Sequence, residues 1–539
     1  MDSNSPIQDL PSELCQVIIS HLPVHATPFT ALSIALTNRW MCNRFLSFIH
    51  TFVIVWDQNW RSTLALFQRF IDFPEIGRTV RLVQVQLSTV SHGDVQTAFG
   101  AVEKAIRAGS LPMLHTLGLN VFSLETFGSL ARLKRFTLEF WKTVLSLCPQ
   151  LRTITLKGLA CRQLANQLVW SKLLKSKGQI LNSLTFHHDL FRLVSRNERT
   201  DLFKSIGYIS HQLRTLDLAL SAYNPLQTFP LEHPYSELFS FTFPRLETFA
   251  LWNGTNIQSS MLQSLQQELT LFLTRHPSLN FLRLALNIEK TAILTNGDES
   301  LPSGFLPLLK HLGGNFFTCR ALAQLLPQLT ALVVYESYNA QVPYLLRSVV
   351  PGGVLPNLRS LAIAQEPQKH NSRNREEGCL WHETKDGEIK NLSSRKARQT
   401  ILDNIHALAR GAPYLEELGF TSSRVTLPDL ANKASEFSEF RRLERLFFRG
   451  NQLLKDEMSP GEREAVMHDV QALAECCTTL TDVVNYRRST APFMGAHIGR
   501  SGGDLATIDV KLKDTFVGRH VGCENEAFTF DRFFSYDRE

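Results

Sequence analysis

The sequence has little that would hold a metal ion or a nucleotide. Its nine cysteines are an odd number, scattered from Cys15 to Cys523, and no two stand in a C-x-x-C pair. That excludes the common zinc frameworks, and scattered thiols fit a reducing compartment. Cys476 and Cys477 are adjacent and read as a helix end. No G-x-x-x-x-G-K-[ST], H-E-x-x-H or EF-hand pattern occurs, so the usual phosphate cradles and zinc-protease helices are missing. The glycines of Gly499-Arg-Ser-Gly-Gly503 lack a following Lys-Ser/Thr and read as a loop. His187-His188-Asp189 is the best metal-like cluster, but neighbouring strand residues face opposite sides. One histidine then faces the core and the other the surface. The expectation is a chain that catalyses nothing and needs neither metal nor cofactor.

Charge of one sign is also scarce. Charged residues make up 20% of the chain and the formal net charge is only +6 over 539 residues, which does not point to nucleic acid. The longest apolar run, Phe45 to Trp56, is broken by Ser47, His50 and Thr51 and is too short to span a bilayer. The opening Met-Asp-Ser-Asn-Ser-Pro is polar and acidic, with no basic stretch leading into an apolar core. The sequons at Asn253 and Asn391 carry no weight without secretion. A cytoplasmic or nuclear location, with no membrane partner, is expected.

What the chain has is apolar residues, 44% of the total, arranged in a recurring phrase: apolar, two variable, apolar, one variable, apolar. Leu114, Leu117 and Leu119 form one copy; Leu151, Ile154 and Leu156 the next. Further copies start at Leu181, Leu213, Leu246, Leu279, Leu329, Leu358, Leu415 and Leu443, with weaker ones at Val80, Leu309 and Leu480. A proline often stands two residues ahead, as at Pro112, Pro149, Pro244, Pro277, Pro327, Pro356 and Pro413. Most steps are near thirty residues, and the step from Leu358 to Leu415 is almost doubled. Alternating apolar positions make a strand with one buried face, and stacked copies bury those faces against one another. Between the strands the period turns helical. Ser259 to Arg275 places Met261, Leu262, Leu265, Leu269, Phe272 and Leu273 on one stripe, ended by His276-Pro277. Arg398–Arg410, stopped by Gly411, and Ala465–Cys476 follow the same design.

The phrase resembles the leucine-rich repeat in its longer, helix-containing form, over roughly residues 75–485. One departure stands out. The family places Asn or Cys shortly after the third apolar position, and here only Asn120 and Asn287 come near. The expected fold is α/β: a small N-terminal helical module followed by an irregular leucine-rich-repeat solenoid, with parallel strands on the concave face and helices on the convex face. The other reading is an ordinary α/β domain that is rich in leucine.

Residues 7–48 differ. Leu10-Pro11-Ser12-Glu13-Leu14 opens a helix with Pro and acid in its first turn. Leu14, Val17, Ile18 and Leu22 mark an apolar stripe, Pro23 to Thr30 reads as a loop, and Ala31 to Leu36 is a second apolar run before Arg39-Trp40. This resembles the F-box, which opens with L-P-x-E-L and closes with an apolar run near R-W. The span from Leu10 to Trp40 exceeds the family pattern by about three residues, in the Pro23–Thr30 stretch. A generic helical cap on the first repeat is the alternative. The resemblance implies binding to a Skp-type adaptor, hence to a cullin–RING ubiquitin ligase (SCF), with the solenoid capturing a protein substrate. Adaptor-binding residues would be Leu10, Pro11, Glu13, Leu14, Ile18, Leu22, Leu32 and Leu36. A non-catalytic scaffold that uses the solenoid without recruiting a ligase is the second functional reading.

In each strand the residues beside the middle apolar position point to the open sheet face. Large aromatics and arginines there are the usual anchors of binding energy, which selects Trp252, Phe281, Arg283, Tyr335, Arg445 and Arg449 as substrate-binding candidates. From Arg132 to Lys177 there are ten Lys or Arg and one acid, Glu139; this is either a solvated face or an attraction for an acidic or phosphorylated segment. The expected layout is a helical module at 6–50, a solenoid at 51–488 with an insertion at about 365–397, and a capping tail at 489–539. Within the insertion, Asp386-Gly387 suggests a hairpin. In the tail, Ala506, Ile508, Val510 and Leu512 alternate like a strand, and Phe528, Phe530, Phe533 and Phe534 suggest docking.

Overall fold

The fold is described from a computed structural model, which describes residues 14–15, 17, 27–56, 60–87, 92–121, 138–158, 174, 181–188, 196–220, 235–253, 259–286, 301–302, 304–335, 342, 345–346, 350–364, 380–383, 389–392, 405–420, 425–448, 459–485, 493–501 and 504–513. The chain divides into two compact units, Met1–Thr255 and Asn256–Glu539. Both are α/β repeat arrays of the leucine-rich type.

The first unit opens with helices α1 (Thr27–Ala35) and α2 (Arg39–Phe45) and a 3-10 turn, Leu46–His50. Strand β1 (Phe52–Trp56) follows, then α3 (Trp60–Asp72), α4 (Pro74–Gly77), β2 (Leu82–Leu87), α5 (His92–Arg107), β3 (Thr116–Val121), α6 (Leu138–Leu147), β4 (Thr153–Gly158) and β5 (Ser183–His188). The unit ends with α7 (Arg196–Gly207), β6 (Thr215–Leu220), α8 (Ser236–Ser240) and β7 (Thr248–Asn253). Strands β1 to β7 lie side by side in chain order, all parallel.

The register explains the repeat. Leu117, Ile154, Leu184, Leu216 and Phe249 are mutual partners across successive strands, as are Leu119, Leu156, Phe186, Leu218 and Leu251, and all are buried. The first apolar position of each phrase, such as Leu114, Leu151 and Leu213, is buried ahead of the strand. One backbone device recurs at the N-terminal rim. The carbonyl just before a strand accepts two N–H groups from the next repeat: Arg81 O takes His115 N at 2.7 Å and Thr116 N at 3.0 Å, and His115 O takes Arg152 N at 2.8 Å and Thr153 N at 3.0 Å. The same pair recurs as far as Glu444 O, which takes Thr481 N and Asp482 N.

The second unit holds α9 (Ser259–Thr274), β8 (Phe281–Leu286), β9 (His311–Asn315), α10 (Phe316–Ala321), β10 (Ala331–Tyr335) and β11 (Ser360–Ala364). After β12 (Leu380–Glu383) and β13 (Ile389–Leu392) come α11 (Ile405–Gly411), β14 (Glu417–Phe420), α12 (Leu427–Ala431), β15 (Arg445–Phe448), α13 (Pro460–Cys476) and β16 (Asp482–Asn485). Strands β8 to β11 and β14 to β16 run parallel in that order. Then β17 (Phe493–Ser501) pairs antiparallel with β16, and β18 (Asp504–Lys513) with β17. Strands β12 and β13 form a separate antiparallel pair; Asp386-Gly387 lies outside the described residues.

Several expectations are corrected. The run at Phe45–Trp56 divides into the end of α2, a 3-10 turn and β1, a strand absent from the sequence-derived set. The stretch Pro23–Thr30 is not all loop, because α1 starts at Thr27. Helix α13 begins at Pro460, five residues before the apolar period, since Ser459 and Glu462 form a reciprocal capping box. Gly499–Ser501 belong to β17, with a bulge at Gly499/Arg500. The phenylalanines at 528–534 lie outside the described residues. Among the described residues, no helix is long and apolar enough to cross a membrane.

Candidate functional site

Two surfaces carry the candidate residues. In the N-terminal module, Cys15, Ala31, Ala35 and Phe45 make a small core, joined by half-buried Ile34, Met41, Phe48 and Ile49. Small alanines therefore face inward on α1, and the leucines face out. Leu32 is 41% exposed and Leu36, just past the helix end, 76%; Leu14 is 48% exposed on the preceding helical segment. Leu36 N bonds to Leu32 O at 2.9 Å, so the two lie one turn apart. Val17, not among the predicted adaptor residues, is equally exposed. Its spacing from Leu14 was visible in the apolar stripe, but periodicity alone does not say whether a stripe meets a core or a partner. Leu10, Pro11, Glu13, Ile18 and Leu22 lie outside the described residues.

The sheet face of the second unit is less open than the alternation predicted. Phe281 and Arg283 are only 6% and 1% exposed, which corrects the expectation that they stand free as anchors. The Arg283 guanidinium lies 5.1 Å from the Phe281 ring centre, and that ring also stacks on His311 at 5.8 Å. Arg445 is likewise engaged: its Nη1 lies 3.2 Å from Glu417 Oε1. It belongs to a register row running Ser360, Glu417, Arg445, Asp482, His497, Asp509 across β11 and β14 to β18. His497 Nδ1 is 3.2 Å from Asp482 Oδ1, so acid and base alternate along the row. Trp252 and Tyr335 sit at the expected places on β7 and β10, their side chains outside the described set, and Arg449 is outside it altogether. The row missed by sequence reasoning was hidden because its members come from strands up to 57 residues apart, aligned only by register.

Burial governs the thiols. Cys148 and Cys319 are pushed up to about 12 by loss of solvent, and the Cys477 thiol is also raised by burial. Such thiols are held protonated and inert. Cys15, Cys42, Cys148, Cys319, Cys476 and Cys477 are free. Among the described residues no group of three His, Cys, Asp or Glu could hold a metal ion.

Fold and surfaces together define a leucine-rich-repeat-type α/β protein with an N-terminal helical module that exposes apolar side chains. No family profile matches the sequence, and no curated protein matches it. Among solved structures, the leucine-rich repeat-containing protein LegL7 from Legionella pneumophila is 13% identical, with a TM-score of 0.33, over 72% of this chain and 97% of that one. The yeast Rad7 and Elc1 complex contains a chain 14% identical, with a TM-score of 0.37, over 84% of this chain and 97% of that one.

Proposed function

We propose that this chain is the substrate-recognition subunit of an SCF-type cullin–RING ubiquitin ligase, acting through contact and not catalysis. The observation that carries the reading is the inverted apolar pattern of the N-terminal module: alanines in the core, Leu14, Leu32 and Leu36 in solvent. Exposed leucines beside an L-P-x-E-L opening support a docking face for a Skp-type adaptor. The repeat array would then hold a protein substrate, raising the concentration of its lysines near a charged conjugating enzyme. No general base, nucleophile or metal is required of this chain.

The test is capture of a purified Skp-type adaptor by the full chain. Wild type should bind. Leu32→Glu/Leu36→Glu and Leu10→Ala/Pro11→Ala should each lose capture while keeping the wild-type thermal midpoint. A wild-type chain that folds but does not bind the adaptor overturns the ligase reading and leaves an interaction scaffold.

A further inference from the structure

The N-terminal rim of the sheet in the first unit carries a cationic row. The residues just ahead of β2 to β6 are Arg81, His115, Arg152, Asn182 and Arg214, placed one per repeat by the paired N–H bonds to the preceding carbonyl. Arg152 and Arg214 are exposed, and Arg81, His115 and Asn182 are half-buried. The row ends at Glu247, whose Oε1 lies 3.2 Å from Arg214 Nη1 in a solvated ion pair. Two residues ahead of Arg81, His115, Arg152 and Arg214 stand Thr79, Met113, Gln150 and Gln212, none of them acidic. At the first position of β3 to β6 stand Thr116, Thr153, Ser183 and Thr215, all half-buried, whereas β2 starts with buried Leu82.

The field along this row is positive. His115 is held below the ordinary histidine range first by burial, then by the Arg81 and Arg152 cations on either side. Among the described residues, no carboxylate lies within ion-pair distance of Arg81 or Arg152. Among the described residues neither arginine has an ion-paired counter-charge, and an anion arriving along the row gains charge-assisted hydrogen bonds from both.

Spacing sets the repeat of the ligand. Neighbouring strands lie about 4.8 Å apart, so Arg81, Arg152 and Arg214, on alternate strands, are about 10 Å from one to the next. An extended peptide advances about 3.3 Å per residue, so every third residue meets the next arginine. Phosphates recur at a similar interval, about 3.4 Å along each duplex strand, so the choice rests on other features: the net charge is only +6 over 539 residues, and the row offers no Phe, Tyr or Trp on which single-stranded bases could stack. We infer that this rim binds an extended segment of a partner protein carrying Asp, Glu or phosphorylated side chains at every third position, with the arginines taking the anions. The inference rests on the reading of the chain as an interaction protein and deepens it by naming the chemistry of the captured segment; it is separable from adaptor binding.

The experiment uses the full chain and fluorescein-labelled twelve-residue peptides in anisotropy titrations. One has Glu at every third position, one has phosphoserine there, one has the same number of Glu in a single block, and one has Lys in place of Glu. A single-stranded oligonucleotide of equal charge is the fifth probe. The third-position peptides should bind, in a salt-dependent manner, more tightly than the block peptide and the oligonucleotide, and the Lys peptide should not bind. Arg81→Gln/Arg152→Gln should weaken them about tenfold or more. In wild type, saturation with the Glu peptide should raise the His115 imidazole titration midpoint, a readout that needs no variant. Equal affinity for block peptide and oligonucleotide, an unmoved His115, or an unchanged affinity in the folded double variant overturns the rim site. Adaptor capture, measured on the same preparations, fails or succeeds independently of all three.

Discussion

Arg445 Nη1 and Glu417 Oε1 lie 3.2 Å apart as register partners on β15 and β14, with the Glu417 side chain 2% exposed and that of Arg445 15%. A carboxylate so far from water is tolerated only with a charged partner in place. Arg445→Ala should therefore destabilise the chain by about 3 kcal/mol, read as a lower urea midpoint, and Glu417→Gln in the same background should recover much of the loss. A shift below about 1 kcal/mol for Arg445→Ala would place the pair among solvated surface bridges and defeat this account.

Arg445 also marks the boundary of what the residues alone disclosed. Alternation in L-x-x-L-x-L puts Phe281, Arg283 and Arg445 on the sheet face, and the register agrees. Alternation says nothing about how deep that face lies, and so these side chains were expected in solvent. Strand β1 escaped because Phe-Val-Ile-Val-Trp is a continuous apolar run, which periodicity cannot distinguish from a helix segment. Strand β9 reads weakly because His-Leu-Gly-Gly-Asn has one large apolar residue, yet neighbours on both sides hold it in register. Gly499 carries a loop signal that pairing overrides: a Cβ there would meet Thr507 Oγ1 across the hairpin at 2.5 Å, so the glycine serves close approach and not flexibility. In the N-terminal module the leucine spacing was legible, but its outward orientation was not. That follows from Ala31 and Ala35 taking the inner face of α1.

Gly77 and Gly109 separate two reasons for glycine. A Cβ on Gly77 would run into the carbonyl of Ser110 and come within 3.2 Å of Phe70 Cβ. Gly109 has φ +69° and open space around its missing Cβ. Gly77→Ala should cost about 1–3 kcal/mol through overpacking, and Gly109→Ala about 1–2 kcal/mol through left-handed backbone strain. Asn discriminates between them in thermal melts. It tolerates the left-handed region, so Gly109→Asn should be milder than Gly109→Ala, whereas Gly77→Asn should be worse than Gly77→Ala. The reverse order at either position contradicts the assignment.

Acid should unfold the chain partly through His276. Its Nδ1 lies 2.5 Å from the Phe272 carbonyl and its ring 4.2 Å from the Phe272 ring. Burial holds its pKa down at about 4, against the opposing pull of that carbonyl, and Arg275 adds to the lowering. The unfolded chain, with an ordinary histidine, takes up the proton first. Stability is therefore complete above the usual histidine range, falls as the pH drops from about 6.5 toward 4, and levels off below, a loss on the order of 3 kcal/mol. His50 and His115 are lowered in the same direction. In urea titrations across this window, His276→Gln should flatten the slope whatever its effect at pH 7. An unchanged slope would mean that His276 is not the titrating group.

The β17–β18 hairpin packs on α13 and is hydrogen-bonded to its C-terminal end through Arg500. Arg500 on β17 donates from Nη2 to the carbonyls of Ala474 at 2.7 Å and Cys477 at 3.1 Å. These groups close the C-terminal turn of α13, where helix carbonyls lack internal partners and a cation complements the dipole. At the other end Ser459 Oγ accepts from Glu462 N at 3.3 Å, and the Glu462 carboxylate accepts from Ser459 N at 2.9 Å, so α13 is capped at both ends by different means. Arg500→Ala should leave two carbonyls without their charged donor and cost about 2–3 kcal/mol, whereas Ser459→Ala should cost about 1 kcal/mol. The consequences differ in place as well as size. Amide exchange should quicken across residues 493–513 in Arg500→Ala, because β18 pairs only with β17 among the described strands, and at the start of α13 in Ser459→Ala. Arg500→Lys keeps the charge but not the planar donor geometry, so it should recover only part of the protection. Full recovery with lysine would show that charge, and not the bond to both carbonyls, holds the hairpin.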